Sequence, residues 1–238
     1  CCYDVCMKIL VTNDDGIDAP GIGELTRVAS AFGEVIVVAP ERAHSGCGHQ
    51  VTSDGVISVR EADIGWAIGG TPADCVRVGL TRIAPDADWV FAGINAGANL
   101  GVDVFMSGTV AAVREGALLG RRGIALSHYR RAGGQFDWQQ AGALSGEICE
   151  QLLARSLNAG EFWNVNLPNP PEDSSRPEFT DCHAAAGHLK MEFEDHQAGV
   201  RYSGDYHGRP AAPGSDVDVC YSGNVAITRM GIWQIPAS

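Results

Sequence analysis

The chain has 238 residues, 45% of them hydrophobic and 19% charged, with a formal net charge of -12. That length supports one sizeable core with room for a smaller appendage, and the composition is that of an ordinary globular protein. The acidic balance excludes general binding of nucleic-acid polymers or anionic membranes, whose phosphates it repels, but it tolerates a small phosphorylated ligand beside a bound cation.

Ile9-Leu10-Val11, followed by Thr12-Asn13-Asp14-Asp15-Gly16, predicts a buried strand that delivers two adjacent carboxylates at its carboxyl end. In an open parallel sheet, ligands bind at that end. Two neighbouring carboxylates repel each other and lose hydration unless positive charge lies beside them. The pair therefore serves either a divalent cation or an acidic turn in which Asp caps a helix and Gly16 supplies positive φ. Pro20 then sits in the first turn of a helix with Ile22, Leu25, Val28, Ala29 and Phe32 on one face. Gly33 ends that helix, and Val35–Ala39 predicts a second buried strand, which completes a βαβ unit.

The polar, glycine-bearing residues 40–50 predict a loop, and Val56–Val59 with Trp66–Ile68 predict a short hairpin. Thr71 and Pro72 open the next helix as N-cap and first residue, with Ala73, Val76, Leu80 and Ile83 on one face. Trp89–Ala92 predicts a buried strand running into GINAGANLG, whose glycines and asparagines predict a loop. Ser107-Gly108-Thr109 opens a helix through Val110, Val113, Ala117 and Leu118, and Ile124–Ser127 predicts the next strand. A helix over 138–159 and a strand over Phe162–Leu167 follow, closed by Pro168-Asn169-Pro170-Pro171. Residues 172–238 predict no helix, only short β pieces at Val200–Ser203, Val217–Tyr221 and Val225–Arg229. The expected plan is an extension over 1–6, a catalytic core over 7–171, and a β-rich extension over 172–238 whose final strand returns to the core.

The eight cysteines are scattered without a repeated CxxC, which points to free thiols in a reducing compartment. Cys1, Cys2 and Cys6 form either a soft-metal cluster or part of an extension ahead of Met7. No apolar run approaches the ~20 residues of a membrane span, so the expected location is the cytoplasm.

Four loops share small polar residues at strand ends or helix starts: Asn13–Gly16, His44-Ser45-Gly46, Asn95–Asn99 and Ser107–Thr109. In a doubly wound sheet such loops converge on one crevice. Their carboxylate, hydroxyl and carboxamide oxygens form a hard donor set that favours Mg²⁺ or Mn²⁺ over zinc. Ser107-Gly108-Thr109 reads as a phosphate seat at a helix N-terminus or as plain N-capping by Thr109. Asn95 and Asn99 are site residues or loop residues that tolerate positive φ, and His44 and His49 are loop histidines or substrate contacts.

MKILVTNDDGI from Met7, the PER…SG loop, GTPADCVRVGL, GINAGANLG and SGTVAAVREGALLG together resemble the SurE family of metal-dependent 5′-nucleotidases. The likeness runs in order to about Val165-Asn166-Leu167 and returns near SDVDVCYSGNVAIT. It implies a Rossmann-like α/β/α sandwich with a mostly parallel central sheet and a C-terminal β-hairpin extension used in homodimers or homotetramers. It also implies one divalent cation per subunit, held by Asp14, Asp15, Ser45 and Asn95, with Asn99, Ser107, Gly108 and Thr109 beside the phosphate. Ala98 and Arg229 stand where the family usually has proline, and relatives continue past the position of Ser238 into a helical tail that takes part in subunit exchange.

The expected activity is hydrolysis of nucleoside 5′-monophosphates to nucleoside and phosphate, with 3′-nucleotides and short polyphosphate as further candidates. Asp14, Asp15 and Asn95 form the expected catalytic group, in which a cation polarises the phosphoryl oxygen and orients water. Asp14 is also the candidate general base, although a carboxylate committed to a metal makes a poor one. The rivals are an aspartyl-phosphate phosphatase with Asp14 as nucleophile, a dinucleotide oxidoreductase, and a nucleotide sensor without turnover. The absence of GxGxxG after the first strand argues against the oxidoreductase.

Overall fold

A computed structural model describes residues 7–170, 174–187 and 191–232. The Cys1, Cys2 and Cys6 cluster lies outside them. The first strand, β1 (Lys8–Thr12), is followed by α1 (Pro20–Ala29) and β2 (Glu34–Pro40). A hairpin of β3 (Val59–Ala62) and β4 (Gly65–Ile68) leads to α2 (Pro72–Val78) and a π-helical turn over Gly79–Ile83. Next come β5 (Trp89–Ala96), a 3-10 helix over Gly101–Phe105, α3 (Gly108–Leu118), β6 (Arg122–His128), α4 (Trp138–Leu153) and β7 (Glu161–Leu167). The remainder forms β8 (Phe179–Cys182), β9 (Phe193–His196), β10 (Gly199–Tyr202), α5 (Asp216–Tyr221) and β11 (Val225–Gly231).

Nine strands form one sheet in the order β3-β4-β2-β1-β5-β6-β7-β11-β8. The run from β4 to β7 is parallel throughout; β3 opposes it at one edge, and β11 and β8, parallel to each other, oppose it at the other. Alternation along β1 sends Ile9 and Val11 to one face and Leu10 to the other. On the first face they meet Ile22 and Leu25 of α1 and Leu144 and Ile148 of α4; on the second, Val76 of α2 and Val110 and Val113 of α3. The central strands β1, β5, β6 and β7 are buried on both sides, which is why these segments read as continuous apolar runs. The result is the expected α/β/α sandwich. Its order reverses at β1, flanked by β2 and β5, so the crevice at the carboxyl ends of β1 and β5 is the topological switch point.

Several expected boundaries move. β5 continues through Ala96 rather than giving way to a loop, because Asn95 and Ala96 pair with Ser127 and His128 of β6 after a register shift. The hairpin's first strand is Val59–Ala62, not Val56–Val59, since the short turn at Asp63-Ile64 fixes its register against β4. α4 stops at Leu153, where its inward stripe ends with Leu152, and not at 159. The clearest correction is at 216–221, which is helix α5 and not a β piece. Ser215 caps it by accepting a hydrogen bond from Asp218 N at 3.3 Å, and Asp216 and Asp218 occupy its acidic first turn.

The extension also returns two strands, β11 and β8, to the main sheet, while β9 and β10 form a separate antiparallel ribbon. Among the described residues, no helix is long and apolar enough to cross a membrane.

Candidate active site

The NDDG turn is shaped by its first and last members. Asn13 Nδ2 donates to Gly16 O at 2.8 Å, and Gly16 N donates back to Asn13 Oδ1 at 3.2 Å. Gly16 has φ of 102°, a conformation that favours glycine. The closed turn presents Asp14 and Asp15 side by side. Asp15 Oδ2 accepts Ala96 N of β5 at 3.0 Å, which ties the turn across the switch point. Asp14 Oδ1 accepts the hydroxyl of Thr109 at 2.5 Å, which ties it to the start of α3.

Asp14 is buried, and that burial pushes its carboxyl up to about 6. The Thr109 hydrogen bond pulls the other way and the neighbouring Asp15 charge adds to the rise. A buried carboxylate beside a second carboxylate is a pair whose repulsion a cation would relieve.

Asp14, Asp15, Ser45, Asn95, Asn99 and Ser107 line one pocket of about 480 Å³, in the size range of small-molecule sites. Asn95 Nδ2 donates to Gly97 O at 2.8 Å, which leaves its carboxamide oxygen as the free end. Two carboxylates, a hydroxyl and a carboxamide oxygen make an all-oxygen set that fits a hard divalent cation. Among the described residues, no group of three or more His, Cys, Asp or Glu is placed to hold a metal, so a zinc-type cluster finds no counterpart there.

Ser107, not Thr109, is the N-cap of α3: its Oγ accepts Val110 N at 3.0 Å. The first intrahelical bond runs from Ala111 N to Ser107 O, so the amides of Gly108 and Thr109 precede it and point out of the helix start. Thr109 is fully buried, with its hydroxyl on Asp14 rather than in the pocket. Gly108 is required by close approach. A Cβ there would lie 2.7 Å from Asp14 Cβ, 2.9 Å from Asp14 Oδ2 and 3.0 Å from Cys47 Sγ.

Behind the pocket stands a buried polar scaffold that sequence reasoning missed. Asn99 N donates to Asn166 Oδ1 at 2.7 Å and Asn99 Nδ2 to Ser127 Oγ at 2.7 Å. Asn99 O in turn accepts from Asn164 Nδ2 at 2.9 Å and Asn166 Nδ2 at 3.1 Å. Two asparagines at alternate, fully buried positions of β7 were the available signal, because buried strand positions are otherwise apolar.

The loop carrying Ser45 is fastened on both sides. His44 N donates to Asp14 O at 2.7 Å, Gly48 N to Met106 O at 3.0 Å, and Thr71 Oγ1 to Gln50 O at 2.7 Å. His49 Nε2 lies 2.7 Å from Glu115 Oε2, and Arg77 Nε donates to Glu115 Oε1 at 2.7 Å. Burial of the Glu115 carboxyl opposes ionisation, but its hydrogen bonds with His49 and Arg77 prevail and hold it below the ordinary glutamate range. His49 thus faces α3, whereas His44 and His49 are both absent from the pocket lining. Asp74 closes a capping box with Thr71 and also accepts Thr52 N at 2.9 Å, which gives the GTPAD segment a role in anchoring this loop.

Residues 9–188 match the profile of the family described as Survival protein SurE. This chain belongs to the SurE family. It is 48% identical over 227 residues to a protein of Nostoc sp. (strain PCC 7120), covering 95% of this chain and 100% of that one. It is 38% identical over 232 residues to the 5′-nucleotidase SurE of Brucella canis, covering 93% of this chain and 91% of that one. The crystal structure of a SurE protein from Aquifex aeolicus superimposes with a TM-score of 0.85 at 29% identity, covering 96% of this chain and 95% of that one.

Proposed function

We propose that this SurE-family chain is a divalent-metal-dependent phosphomonoesterase that hydrolyses nucleoside 5′-monophosphates to nucleoside and phosphate. The observation that carries the reading is the convergence of Asp14, Asp15, Ser45 and Asn95 with Asn99 and Ser107 on one pocket at the switch point. The relatives named 5′-nucleotidase SurE support it.

Asp14, Asp15, Ser45 and Asn95 would hold one Mg²⁺ or Mn²⁺. When bound, the cation supplies Lewis-acid polarisation of the phosphoryl oxygen and a template for water. The chain's own groups do the positioning. Thr109 fixes Asp14 through Oδ1, while Oδ2 lies beside Gly108. The pocket reaches Asn99 and Ser107 at the start of α3, and the Gly108 and Thr109 amides of that helix start would stabilise charge on the equatorial oxygens. Asp14, engaged by Thr109 and the cation, serves as a ligand more readily than as a general base.

The nucleotide is the expected partner, with no nucleic-acid polymer or membrane. A homodimer or homotetramer is the assembly that the family resemblance implies. A cytoplasmic location is supported by the free thiols of Cys47, Cys75, Cys149, Cys182 and Cys220.

Phosphate release from 5′- and 3′-nucleotides and tripolyphosphate, with Mn²⁺, Mg²⁺ or EDTA, tests the reading on wild type and Asp14→Asn. Metal-dependent release from 5′-nucleotides, abolished by EDTA and by the substitution, is the expected result. Metal-dependent nucleotide binding without release would replace the enzyme by a sensor.

A further inference from the structure

The pocket that holds the carboxylate pair has a second end. Its lining continues from Ser107 to Met106, Met191, Tyr202 and Tyr206, so one cavity runs from polar oxygens to an aromatic and thioether wall. Met106, Met191 and Tyr202 are 45%, 57% and 51% exposed, and all three border the same cavity. Large apolar groups left bare together beside a polar centre mark a binding surface more often than chance.

Tyr202 is held in place. It meets Phe193 across the ribbon in a T-shaped contact, with centroids 5.8 Å apart and planes at 72°. Its phenol lies over Gly204, where an added Cβ would fall 2.2 Å from the hydroxyl oxygen. The chain beyond is pinned to the core. Tyr206 OH lies 3.2 Å from Asp103 Oδ2 and 3.3 Å from Ala98 O, and Arg209 Nη1 donates to Asp103 Oδ2 at 2.8 Å. Arg209 is thereby committed to Asp103, so the apolar end does not offer it as a seat for a further phosphate.

We infer that Tyr202, flanked by Met106 and Met191, is the seat of the nucleobase when the phosphate occupies the Ser107–Thr109 end. Every base presents a π face that stacks on a tyrosine ring, and thioethers pack favourably against aromatic rings. The seat makes the chain selective for a phosphomonoester that carries a base over a bare sugar phosphate. The inference rests on the phosphomonoesterase reading above.

The test compares adenosine 5′-monophosphate with ribose 5-phosphate on wild type, Tyr202→Ala, Tyr202→Phe and Gly204→Ala. Tyr202→Ala is expected to raise KM for the nucleotide by about tenfold and to leave kcat/KM for ribose 5-phosphate unchanged. Gly204→Ala, which displaces the ring, is expected to act in the same direction, and Tyr202→Phe to match wild type. An equal loss on both substrates, no loss on either, or a Phe variant that behaves like Ala overturns the seat. If wild type cleaves neither substrate, the phosphomonoesterase reading fails, and calorimetric binding of adenosine 5′-monophosphate decides the seat alone. Binding about tenfold weaker in Tyr202→Ala supports it; equal affinity overturns it.

Discussion

Burial lifts the Asp14 carboxyl to about 6, so the metal-free chain holds an unfavourable charge in neutral solution. A folded-state value raised above 3.8 means that protonation favours the fold. That contribution is complete below 3.8 and is lost as pH rises through about 6. Asp14→Asn removes the titration and can keep the Thr109 hydrogen bond through its amide oxygen. In EDTA, urea melts of wild type and Asp14→Asn should therefore diverge between pH 4 and pH 7, with the variant ahead by about 3 kcal/mol at neutrality. The same variant should lose phosphate release. Gly108→Ala gives a second expectation: its methyl group would strike Asp14 and Cys47, so kcat/KM should fall by about tenfold or more and urea unfolding should show a loss of about 1–3 kcal/mol. Asp14, Asp15 and the Ser107–Thr109 start were legible in the sequence because their residue types carry the chemistry themselves. The pairing of His49 with Glu115 was not, because it joins positions 66 residues apart through tertiary packing alone.

Helix α3 links the phosphate end to the Ser45 loop, since Thr109 reaches Asp14 from its first turn and Glu115 reaches His49 from its last. Glu115 is held below its ordinary value, so its contribution is present above the unfolded glutamate range and is lost as pH falls through the depressed folded value. Glu115→Gln should lower stability by about 1–3 kcal/mol at neutral pH, with the gap closing in acid. Titrating activity with Mn²⁺ should show a weaker apparent metal affinity in this variant, and in His49→Ala, than in wild type. The strands and helices of the core were legible because double-sided burial writes long apolar runs. α5 was misread because Val217, Val219 and Tyr221 alternate with polar residues at the period of a strand, while its cap and short length leave no helical stripe. β3 was displaced because Val59–Ala62 is an edge strand with little burial and therefore little apolar signal.

At the scale of the whole molecule, Asp216 fastens the extension to the core. It is fully buried; Oδ2 accepts Gly101 N at 2.7 Å, and Oδ1 accepts Ala185 N at 2.8 Å. Asp216→Ala leaves those amides without a partner and should cost about 2–4 kcal/mol in urea unfolding. Limited proteolysis should then cut the β9–β10 region faster than in wild type. The two-layer helix arrangement around the sheet was legible, but the return of β8 and β11 was not fully so, since sequence order says nothing of which edge a late strand joins. β11 lies against β7, with β8 outside it, so the outer edge of β7 receives its partner late in the chain. During synthesis that edge waits while roughly sixty residues are added, about 3–12 s at ordinary elongation rates. Until then its row of unpaired amides and carbonyls is a template for any other strand, including the same strand of a neighbouring nascent chain. A ribosome stalled in that interval should expose an aggregation-prone intermediate even though the carboxylate turn has already been made.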